Sequence, residues 1–260
     1  VARGDYDKAS QVLYDFTGII NVNLKIEEIR STIDSAKRES LADLRGSALG
    51  LRPIVWVGIL LSIFQQFVGI NVIFYYSTTL WRTVGFQESD ALTITVITSV
   101  TNIVVTIVAI LLVDKVGRRP MLLAGSFFMT VALGLMALAF SFANVSGGEV
   151  TLEAPWAPIA LVSANLFVVA FGTTWGPLVW VLLGEMFPNR IRAGALAVAA
   201  AAQWVANFVI STTFPVLSNI GLTFAYGFYA LCALLSLVFV LLKIPETKGR
   251  ELEDMEELTV

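Results

Sequence analysis

Five stretches of this chain carry no Asp, Glu, Lys or Arg, and their lengths leave few folds open. Pro53–Trp81 runs for 29 residues, Ala91–Val113 for 23, Pro120–Gly148 for 29, Ala154–Gly184 for 31 and Ala193–Leu242 for 50. A helix rises about 1.5 Å per residue, so about 20 residues cross the roughly 30 Å hydrocarbon core of a bilayer. The last stretch is too long for one crossing. Pro, Ser, Asn and Gly cluster between Pro215 and Gly221, and a break is expected there. Six spans result. Long apolar runs, not short alternating strands, carry the pattern, and lipid tolerates no open sheet edge, so the spans are helices. Charged residues are only 14% of the chain and hydrophobic ones 57%. A soluble domain carries about a quarter of its residues as charges, so this chain needs a lipid bilayer around it. The expected fold class is an all-α membrane protein.

Residues 1–52 differ from the rest, with eight basic and eight acidic side chains. Periodic apolar positions predict short amphipathic helices over Asp7–Tyr14 and Val22–Ser40. They suit either a solvated linker or a brace against other helices. The division is therefore a helical segment at 1–52, a six-helix bundle at 53–243 and a tail at 244–260. An even number of spans puts both ends on one side. That side holds 16 of the 17 Lys and Arg residues, Arg82 being the exception. The positive-inside rule makes it the cytoplasmic side. The outward loops are then Arg82–Asp90, Asn144–Glu153 and the turn near Ser218–Gly221. Asn144-Val145-Ser146 matches a glycosylation acceptor, a short pattern that carries little weight.

Several function classes lack their residues. There is no histidine, so there is no imidazole metal ligand or proton shuttle and no Ser-His-Asp arrangement. The one cysteine, Cys232, lies in an apolar run and reads as a small buried hydrophobe. No Walker-type glycine loop is present. A net charge of -3 gives no basic surface for nucleic acid. No enzyme, metal site or cofactor is expected.

What remains is polarity inside apolar spans, which costs energy unless it is paired or faces a cavity. Ser62–Trp81 holds Gln65, Gln66, Asn71, Tyr75, Tyr76, Ser77, Thr78 and Thr79. Amides both donate and accept, and tyrosine sets a donor beside an aromatic face. That chemistry suits a neutral polyhydroxylated ligand, and it equally suits polar contacts between helices. Phe171–Pro188 contains Thr173, Thr174, Trp175, Gly176, Pro177 and Trp180. Its Gly and Pro permit a kink or unwinding of the kind transporters use at binding sites. Trp180 suits stacking on a sugar ring or packing between helices. Gln203 and Asn207 share a helix face beside Trp204, and Asn102 is an isolated amide in the second span. Charges gather at the basic ends of the spans: Asp114, Arg118 and Arg119, then Glu185 and Arg192, then Glu246 and Lys248. They form either a conformational latch or ordinary loop charges. Asp114 and Arg118 stand at i,i+4, although Gly117 between them argues for a turn.

Five motifs carry a family resemblance. Gln65-Gln66-Phe67-Val68-Gly69-Ile70-Asn71 followed by Phe74-Tyr75-Tyr76 resembles the seventh-helix signature of the sugar porters of the major facilitator superfamily. Asp114-Lys115-Val116-Gly117-Arg118-Arg119 is similar to their loop between helices eight and nine. Gly176-Pro177-Leu178-Val179-Trp180 and Glu185-Met186-Phe187-Pro188 resemble helix ten and its end. Pro245-Glu246-Thr247-Lys248-Gly249 resembles the signature after helix twelve. The order and spacing match over nearly the whole chain. The resemblance implies that the six spans correspond to helices seven to twelve of a twelve-helix fold. Residues 1–52 would then be its central cytoplasmic helices, and an N-terminal six-helix half would be the partner.

By motif, the resemblance assigns Gln65, Gln66, Asn71, Trp180 and Gln203 to sugar contact. It assigns Tyr75, Tyr76, Asn102, Trp204 and Asn207 to the cavity or its gate. Asp114, Arg118, Arg119, Glu185, Arg192 and Glu246 would form a cytoplasmic charge network of the inward-closed state. Glutamine at 203 is shared with the bacterial symporters and points to a bacterial cytoplasmic membrane. The implied function is alternating-access transport of a glucose- or xylose-like monosaccharide. Symport with protons is preferred over facilitated diffusion, although the family's coupling acid lies in the first helix, outside the matched half. A non-transporting sugar sensor is the competing class. A channel would want a ring of charge or repeated carbonyl loops, and neither is evident.

Overall fold

The computed structural model describes residues 6–17, 22–27, 41–83, 87–146 and 149–248. Among them, six helical spans are long and apolar enough to cross a membrane: Pro53–Tyr75, Glu88–Val116, Arg118–Ser141, Trp156–Met186, Arg192–Ile220 and Leu222–Lys243. They are called the first to sixth spans below. The all-α membrane fold expected from the uncharged runs is therefore observed. A helix at Tyr6–Thr17 covers the first predicted amphipathic segment. The second is helical over 22–27, and 28–40 lie outside the described residues.

Two spans are interrupted. The first starts with Pro53, whose missing N–H is no loss at a helix N-terminus. It runs to Phe67, turns at Val68-Gly69 and resumes as Ile70–Tyr75, with a further helix at Ser77–Thr83. Gly69 has φ 85°, a left-handed conformation that a side chain resists. A Cβ there would also sit 2.9 Å from the Tyr229 ring of the sixth span. The fourth span is two helices, Trp156–Thr173 and Trp175–Met186, broken at Thr174 with φ −133° and ψ −87°. Pro177 has no N–H to give the Thr173 carbonyl four residues back, so the ladder fails there.

The fifth span ends within the stretch where a break is expected. The break foreseen between Pro215 and Gly221 falls at Gly221, and Pro215 stays inside a continuous helix. Proline withdraws the N–H that the Ser211 carbonyl would accept. The Tyr76 hydroxyl of the first span donates to that carbonyl at 3.0 Å. The freed group is satisfied, and the helix continues. Between the third and fourth spans a short antiparallel hairpin pairs Asn144–Ser146 with Glu149–Thr151, a pairing not foreseen above although Gly147-Gly148 between the strands is a hairpin dipeptide.

The third span packs between the sixth and the fourth, the first against the fifth and sixth, and the second against the fourth. Lipid gives no hydrophobic push between helices, so close backbone approach supplies the attraction. Gly125 of the third span faces the break in the fourth, where a Cβ would lie 1.9 Å from Thr174 Oγ1. Trp175, Phe167, Phe187, Tyr226 and Tyr229 are fully enclosed at the centre. The second span instead turns Ile97, Val100, Ile103, Val104, Ile107, Ile110 and Leu111 outward.

The two helical glycines of the third span make opposite predictions. Gly125→Ala forces the third and fourth spans apart and is expected to lower the melting temperature of the purified protein. Nothing lies within 4 Å of a Cβ at Gly134. Gly134→Ala should be neutral or stabilising by up to about 1 kcal/mol. Equal melting temperatures for both variants would remove Gly125 as a packing contact.

Candidate functional site

The two interrupted spans meet at their breaks. Gln65 is in the last helical turn before Gly69 and is only 3% exposed. Its Nε2 donates to the carbonyls of Trp175 and Gly176, each at 3.1 Å, in the first turn after the break in the fourth span. Both partners accept only, so they fix the amide with its nitrogen toward them. The oxygen, Oε1, is buried and without a protein partner. Gln66 is also buried, and its Oε1 accepts from Asn71 Nδ2 at 2.6 Å across the same break. Gln66 Nε2 and Asn71 Oδ1 are left for other partners.

The fifth span joins from the other side. Gln203 is buried with an unpartnered Oε1. One turn on, Asn207 Oδ1 accepts from the Ser211 hydroxyl at 3.0 Å, and the Ser211 carbonyl is the one held by Tyr76. Ser211 thus ties two cavity candidates, Tyr76 and Asn207. It carried no signal of its own, but a proline four residues downstream marks a carbonyl in need of a donor. Trp180, Trp204 and Tyr75 expose 45%, 67% and 60% of their surface. Gln65, Gln66 and Gln203 are buried, whereas these three aromatic rings are exposed. Asn102 stands apart on the second span, where its Oδ1 lies 2.9 Å from the Cβ position of Gly172 in the fourth. Trp175 was given no role from sequence, yet its carbonyl holds Gln65.

The site pairs enclosed amide groups with open aromatic faces. Buried amide oxygens without partners accept from hydroxyls. An amide N–H donates to them, and aromatic faces take up the apolar face of a ring. Among the described residues no group of three His, Cys, Asp or Glu is placed to hold a metal ion.

A second cluster closes the basic end. Arg118 makes a two-pronged contact with Glu185, Nη2 to Oε1 at 2.6 Å and Nε to Oε2 at 3.0 Å. Its Nη1 reaches Asp114 Oδ1 at 3.0 Å, across the turn at Gly117. Glu246 caps the third span: its oxygens accept the backbone N–H groups of Arg118 and Arg119 at 3.0 and 3.1 Å. A carboxylate there also meets the positive end of the helix dipole. The Thr247 hydroxyl donates to Glu185 at 2.7 Å. Arg119 Nη2 donates to the Leu241 carbonyl. Arg192 Nε donates to the Phe187 carbonyl at 3.1 Å, and among the described residues Arg192 makes no ion pair. Residues 114, 118, 119, 185 and 246 therefore form one assembly joining the second, third, fourth and sixth spans.

Glu246→Ala removes both acceptors of that cap. It should destabilise the protein by about 0.5–2 kcal/mol, with Glu246→Gln milder. Arg118→Lys, which cannot make the two-pronged contact, should also lower the melting temperature. Thermal unfolding in detergent checks both, and an unchanged midpoint for Glu246→Ala removes the cap from the stability of the bundle.

Residues 1–259 match the model of the family described as "Sugar (and other) transporter". The glucose transport protein of Synechocystis sp. is 53% identical over 256 residues, which cover 98% of this chain and 54% of that protein. The D-xylose-proton symporter of Escherichia coli is 38% identical over 265 residues, covering 99% of this chain and 51% of that one. The fold matches the solved proton:xylose symporter XylE bound to 6-bromo-6-deoxy-D-glucose with a TM-score of 0.76 at 36% identity, over 100% of this chain and 53% of that one. The chain thus spans about half the length of the curated relatives it matches. The resemblance read from the five motifs agrees with these likenesses, and this multi-pass membrane chain belongs to the sugar transporter family of the major facilitator superfamily.

Proposed function

We propose that residues 53–243 are the C-terminal six-helix half of a secondary transporter. It carries a monosaccharide of the glucose or xylose class by alternating access. The observation that carries this reading is the meeting of two broken spans at a set of enclosed amides. They are the first and the fourth of six, the same place in two successive sets of three. Interrupted helices in corresponding positions mark transporter binding sites, because only there is irregular backbone tolerated at membrane depth. Amides and aromatic faces without a buried charge match a neutral polyol. The relatives named for glucose and for D-xylose support the same class.

Gln65, Gln66, Asn71 and Gln203 are the sugar contacts in this reading, with Trp180 against the ring. Tyr75, Tyr76, Asn102, Trp204 and Asn207 line or gate the cavity. An N-terminal six-helix half completes the site, and rocking of one half against the other exposes it to either side. The basic end faces the cytoplasm by the positive-inside rule. There the assembly around Arg118 and Glu185 belongs to the state closed on that side. Within the spans the carboxylates stand at helix ends: Glu88, Asp90, Asp114 and Glu185. Likeness to a proton symporter supports coupling to protons, with the coupling carboxylate on the N-terminal half.

The test is radiolabelled glucose counterflow in proteoliposomes holding this chain beside a matching N-terminal half. Counterflow is expected, and, in a separate assay with no sugar inside the vesicles, external alkalinisation as sugar runs in. Gln66→Ala should weaken it by about 5- to 100-fold, the range for one buried hydrogen-bonding group. Glucose binding without counterflow would replace transport by a sensor function. If glucose does not bind, xylose is the next ligand, and failure of both sinks the reading. Counterflow without alkalinisation would make the protein a facilitator.

A further inference from the structure

Gln65 does not reach its carbonyl partners by chance, and the group that fixes them lies outside the sugar-contact set. Trp175 is fully buried in the turn that follows the break at Thr174. Its indole Nε1 donates to Ser126 Oγ at 3.0 Å and to the Leu122 carbonyl at 3.1 Å, both on the third span. Ser126 Oγ stands 2.9 Å from Ser236 Oγ on the sixth span. Ser236 Oγ in turn donates to the Ala233 carbonyl at 2.7 Å. Indole N–H only donates, and with the Ser236 proton given to the Ala233 carbonyl the Ser126 hydroxyl is the donor between the two serines. Trp175 donates to Ser126, Ser126 to Ser236, and Ser236 to the backbone of the sixth span. Both serines are fully buried.

We propose that Trp175 is a positioning residue for sugar recognition: the Ser126–Ser236 pair anchors its indole, and its carbonyl, with that of Gly176, holds the Gln65 amide so that Oε1 faces the cavity. The inference rests on the transport reading for its ligand. Its physical content is local. The carbonyls of Trp175 and Gly176 lie in the first turn after a broken helix, where the backbone N–H groups have no partner within the helix. A fixed indole holds that turn in place. Close approach of the third span at Gly125 brings Ser126 within reach. Because these carbonyls hold the Gln65 nitrogen, the amide is fixed with its oxygen, an acceptor, turned the other way. A loose Trp175 would let the amide rotate and offer N–H or oxygen indifferently.

The deciding variants are Trp175→Phe, which keeps a ring and the carbonyl but deletes the donor, and Ser126→Ala, which keeps Trp175 and deletes its acceptor. Glucose affinity is measured in the chain reconstituted with its N-terminal half, in native and Gln65→Ala backgrounds. Trp175→Phe should weaken binding about tenfold, and Ser126→Ala should weaken it less. In the Gln65→Ala background Trp175→Phe should add less than about twofold, because residues acting through one contact are not additive. Equal loss in both backgrounds makes Trp175 a packing residue only and overturns the proposal. So does unchanged affinity. If the unsubstituted protein binds neither glucose nor xylose, the transport reading fails, and a second measurement still decides the clamp. Side-chain 15N relaxation in nanodiscs should find the Gln65 amide rigid, and mobile in Trp175→Phe. An amide equally rigid in both refutes positioning whatever the ligand.

Discussion

A bilayer core offers backbone groups nothing to bond to, and that constraint organises the whole molecule. Each place where the helical ladder fails must be repaired by another span, and the repairs are what hold the bundle in register. Pro215 frees the Ser211 carbonyl, and Tyr76 of the first span closes it. The break at Thr174 is met by Gln65, again of the first span. One helix thus bonds to the backbone of two others, replacing a lost donor at Ser211 and gripping the first turn after the break at Thr174. Its own irregularity at Gly69 sits under the Tyr229 ring of the sixth span. The interrupted spans are weak as isolated helices and strong as a set.

The basic end follows a different rule, because water and headgroups are near. There the carboxylates and guanidinium groups can be charged, and geometry decides what they are worth. Exposed pairs such as Arg82 with Glu88, 3.9 Å apart, contribute little. Arg118 is only 12% exposed in its side chain and meets Glu185 with both prongs. Glu246 adds two hydrogen bonds from backbone N–H groups, which no rearrangement of side chains can replace. This assembly ties four spans together at one end, while Gln65 ties the first span to the fourth beside their breaks and Tyr76 ties it to the fifth. On the transport reading, a half held by two such ties would rock as a unit against its partner half.

Much of this was legible in the sequence, and the remainder was hidden for identifiable reasons. Uncharged runs located all six spans, because the energy of burying charge in lipid is large and local. Gly176-Pro177 pointed to the broken fourth span by the same kind of local argument. The fate of Pro215 was not legible: a proline breaks a helix only if its freed carbonyl finds no donor, and the donor lies 135 positions away in sequence. The Asp114–Arg118 contact survives the turn at Gly117 because a long side chain can fold back over it. Arg192 looked equivalent to Arg118 in sequence, since both are basic and both stand at the start of a span. Only the path of the chain at Phe187 gives Arg192 a carbonyl in place of a carboxylate. Trp175 was invisible for the opposite reason. Its importance lies in a backbone oxygen, and no residue type advertises that.

The amide cluster has a polarity that composition does not reveal. Four glutamines and asparagines in a cavity look interchangeable, since each has two donors and an oxygen. Their protein partners make them different. Gln65 has its nitrogen held by two carbonyls and keeps an acceptor. Asn71 has given one proton to Gln66, which leaves Gln66 a donor. Gln203 presents an acceptor with no protein partner. On the transport reading this half therefore meets the sugar mainly as an acceptor of hydroxyl protons, with Gln66 the donor. A sugar hydroxyl that accepts from Gln66 still has its own proton to give. A cooperative chain of hydrogen bonds can then run from Gln66 through the ligand to Gln65 or Gln203. Discrimination among monosaccharides becomes a question of which hydroxyls can stand between a fixed donor and fixed acceptors. On that reading the groups that hold the amides in place decide it as much as the amides themselves.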